Sequence, residues 1–411
     1  FAADLASRFP NSELQRFADA NHLVMAEADV ASSVEVWLRD LAAGRLPDGG
    51  RRPQVPTAGS VFDGLRRRSG SSETAVADLA SRETIDFTTF IARIEAVATG
   101  LLRRGLEPGD RVAMLTPPGI DLLVAVYGVW RAGGVTVIAD RGLGLRGLGA
   151  AVASARPRWT VGPRRAGFAR WLLRWAPRSQ HVDVKALIAE PAGSVDLPPE
   201  PVPHAPAAVL FTSGATGPAK GVRYRHGQLA AQRDALATTY DIVDTDRLVA
   251  AFAPFALYGP ALGVPTALTD CDVTKPGELT AAALDEACRE TGATMAFASP
   301  AALANVVATA GGASSGAHPG LAGLRLVFSA GAPVPAETLH AVQRLCPAAS
   351  IHTPYGMTEA LPVADIALAG IDAAEAEGVG RGVCVGRPVK DADVRIAELD
   401  FDALDLSLIH I

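Results

Sequence analysis

The chain has 411 residues, 49% of them hydrophobic, and a net charge of −6, enough length and apolar content for at least one large core and for more than one domain. No apolar run reaches the ~18 residues of a membrane span, and no charged segment followed by an apolar one opens the chain, so a cytoplasmic protein without a transmembrane segment is expected. The acidic balance argues against nucleic-acid binding, which needs a clustered excess of Lys and Arg.

Along the chain, residues 44–72 collect Gly, Pro, Ser and Arg with little periodicity, the composition of a linker. This divides residues 1–47 from the rest of the chain, with 48–72 as the connection. Phe90, Ile94, Val97 and Leu101 then recur at helical spacing, and Gly105 stands where a glycine ends a helix. The turn Glu107-Pro-Gly-Asp110 leads into an apolar strand over 111–115, a helix over 121–131, and a strand over 135–139 after Gly133-Gly134. Strand, helix, strand at this spacing predicts an α/β fold with a parallel, helix-covered sheet. Further β-type runs at 207–211, 324–328 and 350–352 are each followed by a glycine-containing polar turn, and ligands of open α/β sheets bind where such strands end.

Gly142-Leu-Gly-Leu-Arg-Gly147 fits the G-x-G-x-x-G pattern, but no acidic residue lies between Asp140 and Asp183. A dinucleotide site needs one about 20 positions on to hold the ribose, so the stretch reads as a flexible loop. The segment Phe168-Ala-Arg-Trp-Leu-Leu-Arg-Trp175 puts aromatic residues on one helical face with arginines nearby. It reads as a core-facing helix with a solvated basic side, a membrane-surface helix being the alternative. The cysteines, Cys271, Cys288, Cys346 and Cys384, are widely separated and read as buried thiols, not as a disulfide framework or metal site.

The chemistry concentrates in Phe211-Thr-Ser-Gly-Ala-Thr-Gly-Pro-Ala-Lys-Gly221, directly after an apolar strand. Small residues let backbone N–H groups approach phosphate oxygens, the hydroxyls of Thr212, Ser213 and Thr216 add donors, Gly214 and Gly217 leave room, and Lys220 brings a compact positive charge. Lys220 is followed by Gly221, so this is not a Walker A loop. A second cluster is Tyr355-Gly-Met-Thr-Glu359, an aromatic face suited to adenine and a carboxylate suited to a hard cation. A third is Phe328-Ser-Ala-Gly-Ala-Pro-Val334, with Val385-Gly-Arg-Pro-Val389 further along the chain.

Together these motifs resemble the superfamily of acyl-CoA synthetases, peptide-synthetase adenylation domains and luciferases over residues 73–396. Ala215 and Pro218-Ala219 are mild departures from its phosphate loop. The resemblance implies the adenylate-forming large N-terminal domain, with stacked helix-covered sheets, using ATP and Mg²⁺ on a small-molecule acyl substrate. It implies ATP binding by Thr212, Ser213, Gly214, Thr216, Gly217, Lys220, Gly331, Ala332, Pro333, Tyr355, Gly356 and Thr358. It gives catalytic roles to Lys220, Thr358 and Glu359, and makes Glu359 the metal ligand. The family's later ribose-binding Asp, hinge and small-domain catalytic Lys have no counterpart before residues 397–411, which read as a truncated end with a non-native tail. The isolated chain is therefore expected to turn over little.

Ala253-Pro-Phe-Ala-Leu-Tyr-Gly-Pro-Ala-Leu-Gly263, which places Phe255, Tyr258 and Gly259 at an acyl pocket, resembles the β-lactone synthetases of bacterial olefin biosynthesis. So do Asp140-Arg-Gly-Leu-Gly144 and Met357-Thr-Glu-Ala-Leu-Pro362. The activity implied is adenylation of a β-hydroxy acid and closure to a β-lactone. An acyl-CoA or acyl-carrier ligase and a nucleotide-binding pseudoenzyme are the alternatives. Leu14-Gln-Arg-Phe-Ala-Asp-Ala-Asn-His22 resembles the end of an α/β-hydrolase, which makes His22 a catalytic histidine and residues 1–47 the remnant of a fused β-lactone decarboxylase.

Overall fold

The computed structural model describes residues 14–17, 59–139, 143–173, 175–191, 195–212, 220–271, 275–312, 315–378, 382–390, 392, 394 and 396–399. Strands are numbered along the chain. One sheet runs in spatial order β7 (Gln180–Asp183), β6 (Trp159–Gly162), β4 (Arg111–Met114), β5 (Val135–Ala139), β8 (Pro206–Thr212) and β9 (Lys220–Arg225). It is parallel except for the β8–β9 hairpin. A seven-stranded sheet runs β14 (Ser350–His352), β13 (Leu326–Phe328), β12 (Met295–Phe297), β10 (Leu248–Ala250), β11 (Thr266–Leu268), β2 (Thr74–Asp78) and β3 (Glu83–Asp86), antiparallel only at β2–β3. A small antiparallel sheet joins β15 (Tyr355–Met357), β16 (Ala360–Asp365) and β17 (Arg387–Pro388). β1 (Leu14–Phe17) pairs in parallel with β18 (Ile396–Leu399).

The two large sheets share one core. Helix Ile120–Arg131, with residues 123–130 all buried, packs against β4 and β5 of one sheet and β2 of the other. A helix that is apolar all round belongs between layers. Helix Phe87–Arg103 joins it, its first turn capped by Asp86, whose carboxylate accepts from Thr89 N at 2.6 Å. Past its end, Gly105 takes φ +87°, the left-handed conformation that the sequence pattern anticipated there. The strand period of two then sorts side chains. Leu248, Met295, Phe297, Leu326 and Phe328 enter the shared core, while Val249, Ala296, Val327 and Ile351 face outer helices such as Ala336–Leu345.

Four expectations need correction. Residues 59–72 are folded: Val61, Phe62 and Leu65 are buried in the shared core, on a helix, Asp63–Arg67, too short to display a period. The G-x-G-x-x-G stretch is not a loop from Gly144 onward, because helix Gly144–Ser154 buries Ala151 and Val152 against Ala113, Val135 and Val137. Cys288 and Cys346 are buried, whereas Cys271 is partly exposed and Cys384 exposed. The helix read as core-facing runs Arg164–Leu172 and turns its aromatic residues outward, with Phe168 64% and Trp171 67% exposed.

Candidate functional site

Three of the sequence motifs lie at strand ends, one at a hairpin of the six-stranded sheet and two after neighbouring strands of the seven-stranded sheet. β8 and β9 pair Phe211 with Gly221 and Thr212 with Lys220, so the two ends of the phosphate loop are tied as neighbours at the end of a hairpin. Ser213, Gly214, Thr216 and Gly217 lie outside the described residues, as does His22. Lys220 is exposed. β13 and β14 are adjacent and parallel, with Phe328 opposite His352, so Gly331-Ala332-Pro333 and Tyr355-Gly356 both follow the same edge of the seven-stranded sheet. Gly331 has φ +105° with open space where a Cβ would stand, so backbone conformation, not crowding, calls for glycine there.

Thr358 and Glu359 form the turn of the β15–β16 hairpin. Tyr355 is 44% exposed, Thr358 partly buried, and Glu359 exposed. His352 fixes this hairpin from below. Its Nδ1 lies 2.6 Å from Asp365 Oδ2 and its Nε2 lies 2.7 Å from Ser350 Oγ, while Tyr240 Oη donates to Asp365 Oδ1 at 2.8 Å. The backbone adds a bond from Thr353 N to Ile366 O at 2.9 Å.

A directional hydrogen-bond chain joins the acyl-pocket candidates to this turn. Tyr258 Oη donates to Gln232 Oε1 at 2.6 Å, Gln232 Nε2 donates to Tyr224 Oη at 3.1 Å, and Tyr224 Oη donates to the carbonyl of Thr358. Tyr224 sits on β9 four residues after Lys220, and Gln232 is buried on helix His226–Thr239. Burial raises the Tyr224 phenol above its ordinary pKa, and the charge of Glu359 pushes the same way against the Gln232 hydrogen bond. Burial likewise raises the Tyr258 phenol. Both hydroxyls therefore stay protonated as donors. Phe255 stacks on Phe297 at 4.1 Å and 8° and leans on Phe328 at 5.1 Å. Gly259 is buried so closely that a Cβ would meet Thr266 Oγ1 at 1.6 Å.

Tyr224, Gln232, His352 and Asp365 were not singled out from the sequence. Only Tyr224 carries a signal, since Lys220, Val222 and Tyr224 alternate onto one face of β9; Gln232 and the His352–Asp365 pair depend on tertiary proximity.

The residues fit a nucleotide with its divalent ion. An exposed carboxylate and an exposed aromatic ring share one short hairpin, and a lysine stands at the root of a glycine-rich loop. Among the described residues, no group of three His, Cys, Asp or Glu side chains is placed to hold a metal. Glu359 is the exposed carboxylate of this turn that could hold such an ion together with phosphate oxygens, as Mg²⁺ sites commonly do. A separate cavity of about 220 Å³ is lined by Thr74, Asp78, Arg82, Arg247 and Glu290, and none of the candidate residues reaches it.

Mainly parallel, helix-packed sheets with glycine-containing turns after their strands make this an α/β protein, a class whose ligands bind at the strand ends. The chain belongs to the AMP-binding enzyme family, whose model matches residues 66–403. It is 35% identical over 335 residues to an olefin β-lactone synthetase of Xanthomonas campestris, covering 78% of this chain and 59% of that protein. It is 33% identical to an olefin β-lactone synthetase of Stenotrophomonas maltophilia, covering 81% of this chain and 61% of that one. The chain thus spans about three-fifths of the length of these relatives. The fold is similar to that of o-succinylbenzoate CoA synthetase from Bacillus subtilis in complex with its acyl-adenylate intermediate, with TM-score 0.66 and 19% identity over 80% of this chain and 64% of that one.

Proposed function

We propose that this chain is the nucleotide-binding part of a ligase that adenylates a long-chain β-hydroxy acid and closes it to a β-lactone. The likeness to two olefin β-lactone synthetases over more than three-quarters of the chain carries the reading. In the first step a carboxylate oxygen attacks the α-phosphorus of ATP and pyrophosphate leaves. In the second, the β-hydroxyl oxygen attacks the acyl carbonyl carbon, AMP leaves with the electron pair of the mixed anhydride, and the hydroxyl proton passes to solvent. Holding both reactive groups in one molecule supplies the proximity that a strained four-membered ring needs.

Lys220 and the loop before it would bind the phosphates, and Lys220 would offset charge growing on the departing pyrophosphate. Glu359 would hold Mg²⁺, which supplies Lewis-acid polarisation of the phosphate oxygens. Tyr355 would pack on adenine beside Gly331, Ala332 and Pro333. The chain from Tyr258 to the Thr358 carbonyl orients the turn carrying Glu359, while Phe255 and Gly259 shape the acyl end. Residues 1–47, with His22, are read as the end of a fused hydrolase.

Protein extended to the length of the relatives should consume ATP with a 2-alkyl-3-hydroxy acid and yield lactone without coenzyme A, as read by product mass spectrometry. The deoxy analogue, lacking an internal nucleophile, should give none. Lys220→Ala and Glu359→Gln should each slow pyrophosphate release by ~10²-fold or more. Thioester from both acids and lactone from neither would replace the lactone reading with a thiol ligase. Unchanged pyrophosphate exchange in both variants would remove those residues from the site.

A further inference from the structure

Residues 141–182 contain nine arginines and no Asp, Glu or Lys, in a chain whose overall charge is −6. Among them, Arg146, Arg164, Arg165 and Arg178 are exposed. The same segment presents apolar residues to solvent: Leu145 is 68% exposed, Phe168 64%, Trp171 67%, Leu172 63% and Leu173 45%. Single exposed apolar residues are ordinary, but four on one helix and its exit form a patch.

The orientation of that helix is built in. Gly167 packs so closely on His181 that a Cβ would meet its ring at 2.2 Å, which fixes the inward face. Arg170, 9% exposed, points inward with it and donates from Nη1 to Ala176 O at 2.8 Å, Ser179 O at 2.9 Å and Ser179 Oγ at 2.8 Å. With Gly167 and Arg170 committed to the interior, Phe168, Trp171 and Leu172 have only the outward face. Trp175 packs on helix Gly144–Ser154 at Gly149, one turn beyond Leu145. Arg164 and Arg165 stand one turn before Phe168, and the nearby acid Asp183 accepts from Arg164 N at 3.0 Å.

We propose that this face is a docking surface for an anionic lipid bilayer, with Phe168, Trp171 and Leu172 entering the headgroup layer and the surrounding arginines meeting lipid phosphates. Exposed aromatic and leucine side chains beside clustered arginine are the residue types that interfacial anchors place at the headgroup layer. Among the described residues no helix is long and apolar enough to cross a membrane, so the contact is peripheral. A protein partner is the less favoured occupant, because protein-binding patches carry their charge at a mixed rim, whereas this one has a single sign over 42 residues.

The test is co-sedimentation of this chain with vesicles of phosphatidylcholine and phosphatidylglycerol in equal parts, and with phosphatidylcholine alone. Binding to the mixed vesicles at low salt is expected, with a blue shift of Trp171 emission that is absent in Trp171→Phe. The double variant Phe168→Ser/Trp171→Ser should bind them at least about tenfold more weakly. Arg164→Glu/Arg165→Glu should lose the preference for the anionic lipid while keeping the melting temperature. No sedimentation of the parent chain, or undiminished binding by the serine double variant, would overturn the proposal. So would a concentration-dependent dimer in size-exclusion chromatography that the serine variant abolishes, because that would make the face a contact between copies.

Discussion

Two aromatic groups of similar composition have opposite fates in this molecule. Phe255, Phe297, Phe328 and Tyr240 interlock under the candidate site, with Tyr240 stacked on Phe328 at 5.1 Å and 13°, and all are nearly removed from water. Phe168 and Trp171 also touch, at 6.0 Å and 34°, yet both remain in solvent. Intrinsic hydrophobicity is the same in the two places. What differs is the competition for the inward face. In the first group strand alternation turns Phe297 and Phe328 inward, and Phe255 and Tyr240, on a short helix and at a helix end, pack onto them; in the second a glycine and a clamped arginine have already taken that face. Burial is therefore decided by the neighbours of an aromatic residue as much as by the residue.

The contrast has energetic consequences that substitutions can break. Phe297→Ala should be the most damaging, at about 3–5 kcal/mol, because it opens a cavity between Phe255 and Phe328 that packed neighbours cannot collapse; urea titration followed by tryptophan fluorescence would measure it. A loss below about 1 kcal/mol would mean that the cluster is looser than its ring distances state. Arg170→Met keeps the volume but leaves the Ala176 and Ser179 carbonyls without their buried donor, for an expected loss of about 1–3 kcal/mol in the same titration. If its stability were unchanged, the clamp would not be what sets the helix orientation. Phe168→Ser should stay within about 0.5 kcal/mol of the parent, and a loss as large as that of Phe297→Ala would erase the distinction between the groups.

The sequence pattern was most legible where periodicity and burial agree. Helices Phe87–Arg103 and Ile120–Arg131 and strands β4, β5 and β8 fall close to the expected positions because each is long or apolar enough to show its repeat. Periodicity gave only the helix-covered parallel sheet; the adenylate-forming architecture came from the resemblance of the motifs at 211–221, 328–334 and 355–359 to a known superfamily. Five-residue helix Asp63–Arg67 was hidden by its length, and its flanking Gly, Ser and Arg imitate a linker. The orientation of Phe168 was hidden differently. A helical repeat tells which residues share a face but not which way the face turns, and here His181 and Ser179, 13 and 11 residues further on, decide it. Hydrogen-bond partners such as Gln232 are likewise invisible to a one-dimensional reading, since Tyr258 lies 26 residues away and Thr358 far beyond.

The Tyr258–Gln232–Tyr224–Thr358 chain has a thermodynamic consequence. The Thr358 carbonyl can only accept, so with Tyr224 Oη donating to it, Gln232 donates to Tyr224 Oη and is left to accept from Tyr258 Oη; turning the amide over would draw the Tyr224 hydroxyl away from Thr358. The chain has a single polarity, and on the reading proposed above, with acyl chain near Tyr258 and nucleotide near Thr358, a ligand that displaced Tyr258 would alter the hydrogen bond received by the Thr358 carbonyl. On that same reading linkage requires the effect to be reciprocal: whatever nucleotide did to the affinity for acyl chain, acyl chain would do to the affinity for nucleotide, by the same factor.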